Sequence, residues 1–464
     1  MVVFYLGIFG IGEGILAEVD ENATAGRGSN STTKDPVALL SLRDVIELAL
    51  KNNTSLKQEN LRKKLEKHSL NIQRAKFLPT IDASGVYKRG RKKNIEDIKY
   101  DEDYSSTSTG INLNYNLFNS GIDILTFNYK KHNLKVQEYT EENKSQSVTY
   151  EAVVKYYNIL LLEANKNVAQ ESENSYLEIL KSIEASHDVG IASSIDRLQA
   201  ENSYQSSRLD FMEADNKLRD GYADLNVFLG REPNSAIDLE KSKMAVKKEA
   251  IDVDEYVRLA LINRPDLKKA RELRKQAEDG LTLAKMNLYP SVGVDFDTSL
   301  AKMKTSYSRK YSERMDDSGG GSGLVADAHV TAFVKIPVFA GLSTLNAIGL
   351  KRKELEIISL QLEELERGVA KDVLVACRDF EHDQAAFFLS KDLLETKTNE
   401  TRMILEMYSK GSKSLADVTK VQADLEKTKL SFIKFKHNWL TRRIHLLKLI
   451  GMINLESIIN ISEF

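Results

Sequence analysis

Cysteine is almost missing: Cys377 is the single one in 464 residues. No disulfide framework and no multi-thiolate metal site can form within one chain. Cys377 itself, in "LVACRDF", reads as a small core residue on a helix. Proline is scarce too, six in all, which favours long uninterrupted elements. Neither charge sign dominates, with 66 Lys and Arg against 68 Asp and Glu, so no basic surface marks a nucleic-acid partner. Downstream of the N-terminus no run of about 18 apolar residues occurs, so strands must make any contact with a bilayer. The seven histidines lack metal-ligand spacing, and "GGGSG" lacks the lysine of a phosphate loop. The sequence therefore nominates no catalytic residue, cofactor or metal.

What is present begins with an apolar N-terminus, "MVVFYLGIFGIGEGILA", followed by "ATA" at 23–25. This pattern predicts a signal peptide over residues 1–25, with an A-x-A cleavage site but no basic n-region. The polar stretch that follows predicts a disordered linker over 26–41.

From there the chain is written twice. "DVIELALKNNTSLKQENLRKKLEKHSLNIQRAKFLPTIDASG" from Asp44 aligns without a gap with "EYVRLALINRPDLKKARELRKQAEDGLTLAKMNLYPSVGVDF" from Glu255, so that Pro79 meets Pro290. "YNLFNSG" then meets "IPVFAG", with Pro337 at the second junction. Gly190 meets Gly411, and Gly230 meets Gly451. Such self-similarity predicts two structural repeats, 42–252 and 253–457, followed by a C-terminal tail 458–464. A connecting segment, 231–252, joins them. The second copy has gained about ten residues around "DDSGGGSG", a flexible loop by composition.

Each copy has the same internal order. A helix comes first, 42–77 and 254–288, apolar at helical spacing until proline ends it. Strands follow near 80–118 and 291–338. "INLNYNLF" alternates Ile111, Leu113, Tyr115 and Leu117 with Asn112, Asn114 and Asn116. Charged stretches separate the strands. A helical hairpin completes each copy, with tips at 187–196 and 408–417. The long arm of each hairpin spans about 100 Å and the return arm about 60 Å. A proline-terminated helix of about 53 Å fills the remainder, taken from the other copy. For copy two this is the first helix of the chain. The fold class is mainly α: long coiled-coil hairpins plus four strands per chain.

Four strands cannot close a barrel, and open edges do not survive in lipid. Several chains must share one barrel. Three give twelve strands with cyclic symmetry, apolar outside and asparagine-lined inside, and the arithmetic admits other multiples as well.

The chain resembles the TolC family of outer-membrane efflux and secretion channels over about 42–457. The carriers are "LRDVIELALKNNTSL", "AKFLPT", "NLYPSV", "FNSG", "PVFAG", "DVGIASSID", "YSKGSKSLADV", "LNVFLGREP" and "LLKLIGMI", in order and in duplicate. The resemblance implies a homotrimer in the outer membrane of a Gram-negative bacterium, its barrel continuing into a periplasmic helical barrel. It implies a passive exit duct, not an enzyme. Its partners would be a periplasmic adaptor and an inner-membrane transporter, in a tripartite efflux pump or a type I secretion system. A coiled-coil scaffold, periplasmic or cytosolic, is the competing class. It predicts sustained heptads and no alternating strands.

The hairpin tips share Gly-x-x-Ser-x-x-Asp. Gly190 and Gly411 suit left-handed helix ends. Ser193 with Asp196, and Ser414 with Asp417, suit capping boxes. Local helix turning accounts for all six residues. The resemblance adds a second duty, with adaptor docking at these turns. It places Asp196 and Tyr408 in the network that closes the channel mouth, and Tyr408 alone is equally a helix-packing aromatic. Lys413 stands where an arginine is common and lacks its planar two-point contact. Asp417 falls at a constriction ring, and Lys420 stands at the next acidic ring position, opposing an anionic mouth.

Overall fold

The computed structural model describes residues 38–94, 99–190, 192–241, 248–311, 315–339, 341–454 and 456–458. The expected signal peptide lies outside them, as does the linker up to residue 37. The linker's end is ordered: β1 (Ala38–Leu40) pairs in parallel with β4 (Ile237–Leu239) from the connecting segment. Leu40 and Leu239 both enter the core, which holds a pair too short for any periodicity to announce. The expected tail also starts one residue early, because Ile458 is buried in the same core.

The first helix of each copy is two helices. α1 (Leu42–Asn52) and α2 (Thr54–Ala75) meet at Asn53, whose extended backbone breaks the ladder while its side chain accepts from Leu56 N at 3.0 Å. α5 (Val253–Asn263) and α6 (Pro265–Met286) meet at Arg264, which Pro265 forces out of the helical region. Helix thus ends at Ala75 and Met286, before Pro79 and Pro290 are reached. The prolines start the strands and do not stop the helices.

The duplication is kept to the residue. α1 and α5 are 11 residues each, and α2 and α6 are 22. The hairpins are α3 (Ile122–Asp188) with α4 (Ser194–Phe228), and α7 (Ser343–Ser409) with α8 (Leu415–Leu449). The long arms have 67 residues and the returns 35. The entry to each long arm is a pair of left-handed residues, Ser120–Gly121 and Gly341–Leu342. Structural equivalence therefore sets Gly341 against Ser120 and Leu342 against Gly121, one residue off the alignment that matched the two glycines. Ser120 Oγ donates toward the carbonyls of Tyr289 and Pro290, both at 2.8 Å, tying this corner to the junction of the other copy.

β2 (Thr80–Asn94), β3 (Lys99–Asn119), β5 (Ser291–Tyr311) and β6 (Met315–Lys335) form one antiparallel sheet in that order, with β2 and β6 at its edges. The strands extend into both expected loops, β2 reaching Asn94 and β3 starting at Lys99, β5 reaching Tyr311 and β6 starting at Met315. The glycine-rich 318–323 pairs with 303–308 as part of β6. Composition favours a loop there, but a full cross-strand ladder outweighs it.

Registration aligns the sheet's chemistry in rows. Ile81, Leu113, Phe296 and Val330 face one another across all four strands. The next row, on the other face, is Asp82, Asn112, Asp297 and His329. On β5 the apolar face runs over the nine residues from Val292 to Leu300, about 27 Å along the strand, the number of residues a tilted strand needs to cross a bilayer. A bulge between Tyr115 and Phe118 shifts the register. Phe118, opposite Val292, therefore joins the Tyr115 face in place of Leu117. Gly293 lies opposite Phe333, whose ring occupies the space a Cβ there would need.

The core sits midway along the helices. Trp439, Tyr156, Phe380 and Phe387 are buried where α3, α7 and α8 converge on α1 and α5. The Phe387 and Trp439 rings stack with centroids 6.2 Å apart. Burying each such side chain contributes about 1.5–3 kcal/mol.

Candidate functional site: the paired helix turns

Both hairpin turns are built as their residues suggest. Gly190 and Gly411 have φ of +77° and +74°, and no atom approaches the position a Cβ would take. Backbone bonds close each turn: Gly190 N donates to His187 O at 2.9 Å, and Gly411 N to Tyr408 O at 2.9 Å. Ser193 and Ser414 then cap α4 and α8 through reciprocal boxes. Asp196 N donates to Ser193 Oγ at 3.1 Å, while Asp196 Oδ2 accepts from Ser193 N and Oγ at 3.1 and 2.7 Å. The Asp417 box has the same form, at 3.2, 3.1 and 2.9 Å.

These bonds use one oxygen, Oδ2, of each carboxylate and leave Oδ1 outside the box. They also hold both carboxyls below the usual range. For Asp196 the Ser193 hydroxyl contributes most, then its amide. For Asp417 the Ser414 amide leads, then its hydroxyl, with Lys413 and Lys420 adding to the effect. Both aspartates stay charged, and Asp417 sits in the field of two exposed lysines.

The two turns lie against each other. Tyr408, on the last turn of α7, packs half-buried on Leu180, Ile183, Ala200 and Leu415. Burial pushes its phenol up, and the nearby Asp196 carboxylate adds to the shift. The fold thus brings Tyr408 together with Asp196 from the other hairpin, and Asp417 together with Lys413 and Lys420. The junction residues Pro79, Pro290 and Pro337 lie at the sheet end, more than 60 residues along the long arms from the turns.

The sequence reading overlooked the polar face of the sheet as a functional surface beyond its asparagines. Asp82, Asp295, Asp297, Asp327 and His329 share it, and His329 lies 3.4 Å from Asp297 and 3.5 Å from Asp327. The period-two spacing of "VDFD" carried that signal. Among the described residues no three His, Cys, Asp or Glu side chains are grouped to hold a metal ion.

The family described as "Outer membrane efflux protein" matches residues 45–231 and 256–452, one stretch in each repeat. The probable efflux pump outer membrane protein TtgC of Pseudomonas putida is 21% identical over 445 residues, covering 92% of this chain and 86% of that protein. The antibiotic efflux pump outer membrane protein ArpC of Pseudomonas putida matches to the same extent. Among solved structures, the Campylobacter jejuni CmeC outer membrane channel superposes with a TM-score of 0.71 at 18% identity, covering 91% of this chain and 89% of that one. The Vibrio cholerae outer membrane protein VceC gives 0.69 at 15% identity, covering 88% and 96%. With both repeats matched and its strands banded for a bilayer, this chain belongs to the outer membrane efflux protein family and is an outer-membrane channel protein.

Proposed function

We propose that three copies form one passive exit duct, a twelve-stranded barrel continued by a helical tunnel. A periplasmic adaptor and an inner-membrane transporter open it at the helix turns. The observation that carries this reading is the four-stranded sheet itself. It has one apolar face, one polar face and two unpaired edges, β2 and β6. Only closure with further copies removes those edges from lipid. A coiled-coil scaffold has no use for such a sheet.

In this reading residues 1–25 direct export and are removed. Gly190, Ser193, Gly411 and Ser414 shape the surface that meets the adaptor. Tyr408 and Asp196 belong to the closing contacts of the mouth. Asp417, Lys413 and Lys420 set the charge of its narrowest ring. Transport energy comes from the inner-membrane partner, and the duct itself catalyses nothing. Membrane fractionation tests the proposal: a trimer in the outer membrane that dissociates only on boiling is expected. A soluble monomeric or dimeric rod would overturn it in favour of the scaffold.

A further inference from the structure

The apolar face of the sheet ends differently at its two edges. At the edge from which the helices leave, Phe118, Val292 and Val334 face one another, with no charge among them. At the hairpin edge the row of Tyr87, Thr107, Lys302 and Leu324 is followed by Arg89, Ser105, Lys304 and Ser322. These two rows hold three exposed cations, Arg89, Lys302 and Lys304, and no carboxylate. One row farther, Arg91 has Asp103 at 3.4 Å. Among the described residues the other three have no such partner.

The spacing puts these cations at a membrane boundary. Lys302 follows Val292 by ten residues on β5, about 34 Å along the strand. At a tilt of about 40° that is about 26 Å of height, close to the apolar band of an outer-membrane barrel. Lys302 therefore stands at headgroup level. Lys304 lies about 7 Å farther out, and Arg89 lies two strands, about 10 Å, to the side. Tyr87 and Leu324 share the Lys302 row and are themselves exposed. An apolar wall thus lies directly beneath the charges.

We infer that Arg89, Lys302 and Lys304 hold the phosphate groups of a phosphorylated glycolipid in the outer leaflet. The phosphates meet two ammonium groups and a guanidinium that can engage two oxygens at once. The acyl chains lie along Leu300, Leu324 and the ring of Tyr87 below. A free phosphate would gain nothing from that wall, so the ligand carries both parts. The contact belongs to one leaflet, because the Phe118 edge offers no cation. It belongs to one face as well. Lys88, beside Arg89, shares the polar face with Asp82 and Ser84 and takes no part.

The inference rests on the proposed barrel, and the test separates the two. The purified protein in neutral detergent is titrated with fluorescent bisphosphorylated lipid A. Unboiled gels and bilayer conductance are read on the same samples. Saturable binding by the parent is expected, and lipid stripped of both phosphates should bind far more weakly. Each basic residue near an anionic lipid surface strengthens binding about fivefold, so Arg89→Gln, Lys302→Gln and Lys304→Gln together should weaken it about a hundredfold. Trimer and conductance should be kept. Arg89→Lys with Lys302→Arg and Lys304→Arg should bind like the parent, and so should Lys88→Gln. Conducting trimers of the triple Gln variant that bind lipid A as tightly as the parent overturn the inference and leave the channel standing. Should that variant not assemble, the three single variants read the same claim, and none losing affinity overturns it. Displacement of the lipid by an equal concentration of inorganic pyrophosphate overturns it too, in favour of a free-phosphate site. Parent protein that neither forms trimers nor conducts overturns the barrel itself.

Discussion

The proposed reading gives Asp417 two duties that substitutions can separate. Its Oδ2 accepts from Ser414 N and Oγ, so it helps to cap α8. Its charge stands between Lys413 and Lys420. Ser414→Ala removes the hydroxyl that accepts from Asp417 N and keeps every charge. Loss of such a cap costs about 1 kcal/mol per hairpin. Asp417→Asn keeps a carbonyl oxygen able to accept from Ser414 and removes only the charge. The two flanking ammonium groups against one carboxylate leave one net positive charge per chain from these three residues. Asp417→Asn raises that to two, and Lys413→Gln lowers it to zero. Reversal potentials across a planar bilayer under a KCl gradient read the difference. Asp417→Asn should shift permeability toward chloride and lower the thermal midpoint, since the Ser414 bonds favour the charged carboxylate, while Lys413→Gln should shift permeability toward potassium with the midpoint unchanged. Ser414→Ala should lower the midpoint and leave the reversal potential alone. If both charge variants conduct like the parent, Asp417 is a cap and nothing more, and the ring assignment fails.

The turn glycines should divide by their surroundings. Gly411→Ala meets open space and bears only the left-handed penalty, about 1 kcal/mol. Gly451→Ala has the same backbone problem at φ +71°, and its Cβ would also lie 2.8 Å from Arg264 N, at the α5–α6 break. A loss of about 3 kcal/mol or more is expected, since backbone cannot yield as a side chain can. Denaturation midpoints of the two variants rank them, and equal losses would refute the clash. Acid should weaken the fold before any carboxylate titrates. Burial pushes His437 below its ordinary range, and it pushes His445 the same way, aided by Arg442 and Lys448 and opposed by Asp379 and Asp372. Both are neutral when folded and take up protons on unfolding below about pH 6.5. Stability is therefore full above that pH and falls as the pH drops toward the folded values. The melting midpoint should be lower at pH 5.5 than at pH 7.5, and His445→Gln should flatten the dependence. An unchanged slope in that variant would contradict this source of the acid sensitivity.

Much of this architecture was legible because it was written twice. A glycine and a serine at matched places announce a turn once. In duplicate they announce a hairpin in each half, and the helix lengths agree to the residue. The capping boxes followed from spacing alone, because an N-cap serine reaches only the amide three residues on. Three features escaped for local reasons. Arg264–Pro265 signalled a break, but the apolar period continues across it and across Asn53, so each helix pair read as one. The glycine-rich 318–323 read as a loop because composition is local while a ladder with 303–308 is not. The bulge at Asn116 and Leu117 was invisible because Leu117 and Phe118 are both apolar, so the pattern alone does not tell which of them keeps the Tyr115 face. The pairing of Tyr408 with Asp196 needed the two hairpins side by side, which no spacing within either hairpin encodes. The resemblance had already placed both residues at the mouth.

Single-channel recording of the purified protein tests the central claim most directly. A passive outer-membrane duct should insert into planar bilayers as discrete, long-lived conductance steps with no energy source and no partner. On the proposed reading, Tyr408→Phe, which removes the hydroxyl and keeps the ring's packing, should enlarge each step. Homogeneous trimers that never conduct in either form would contradict the account.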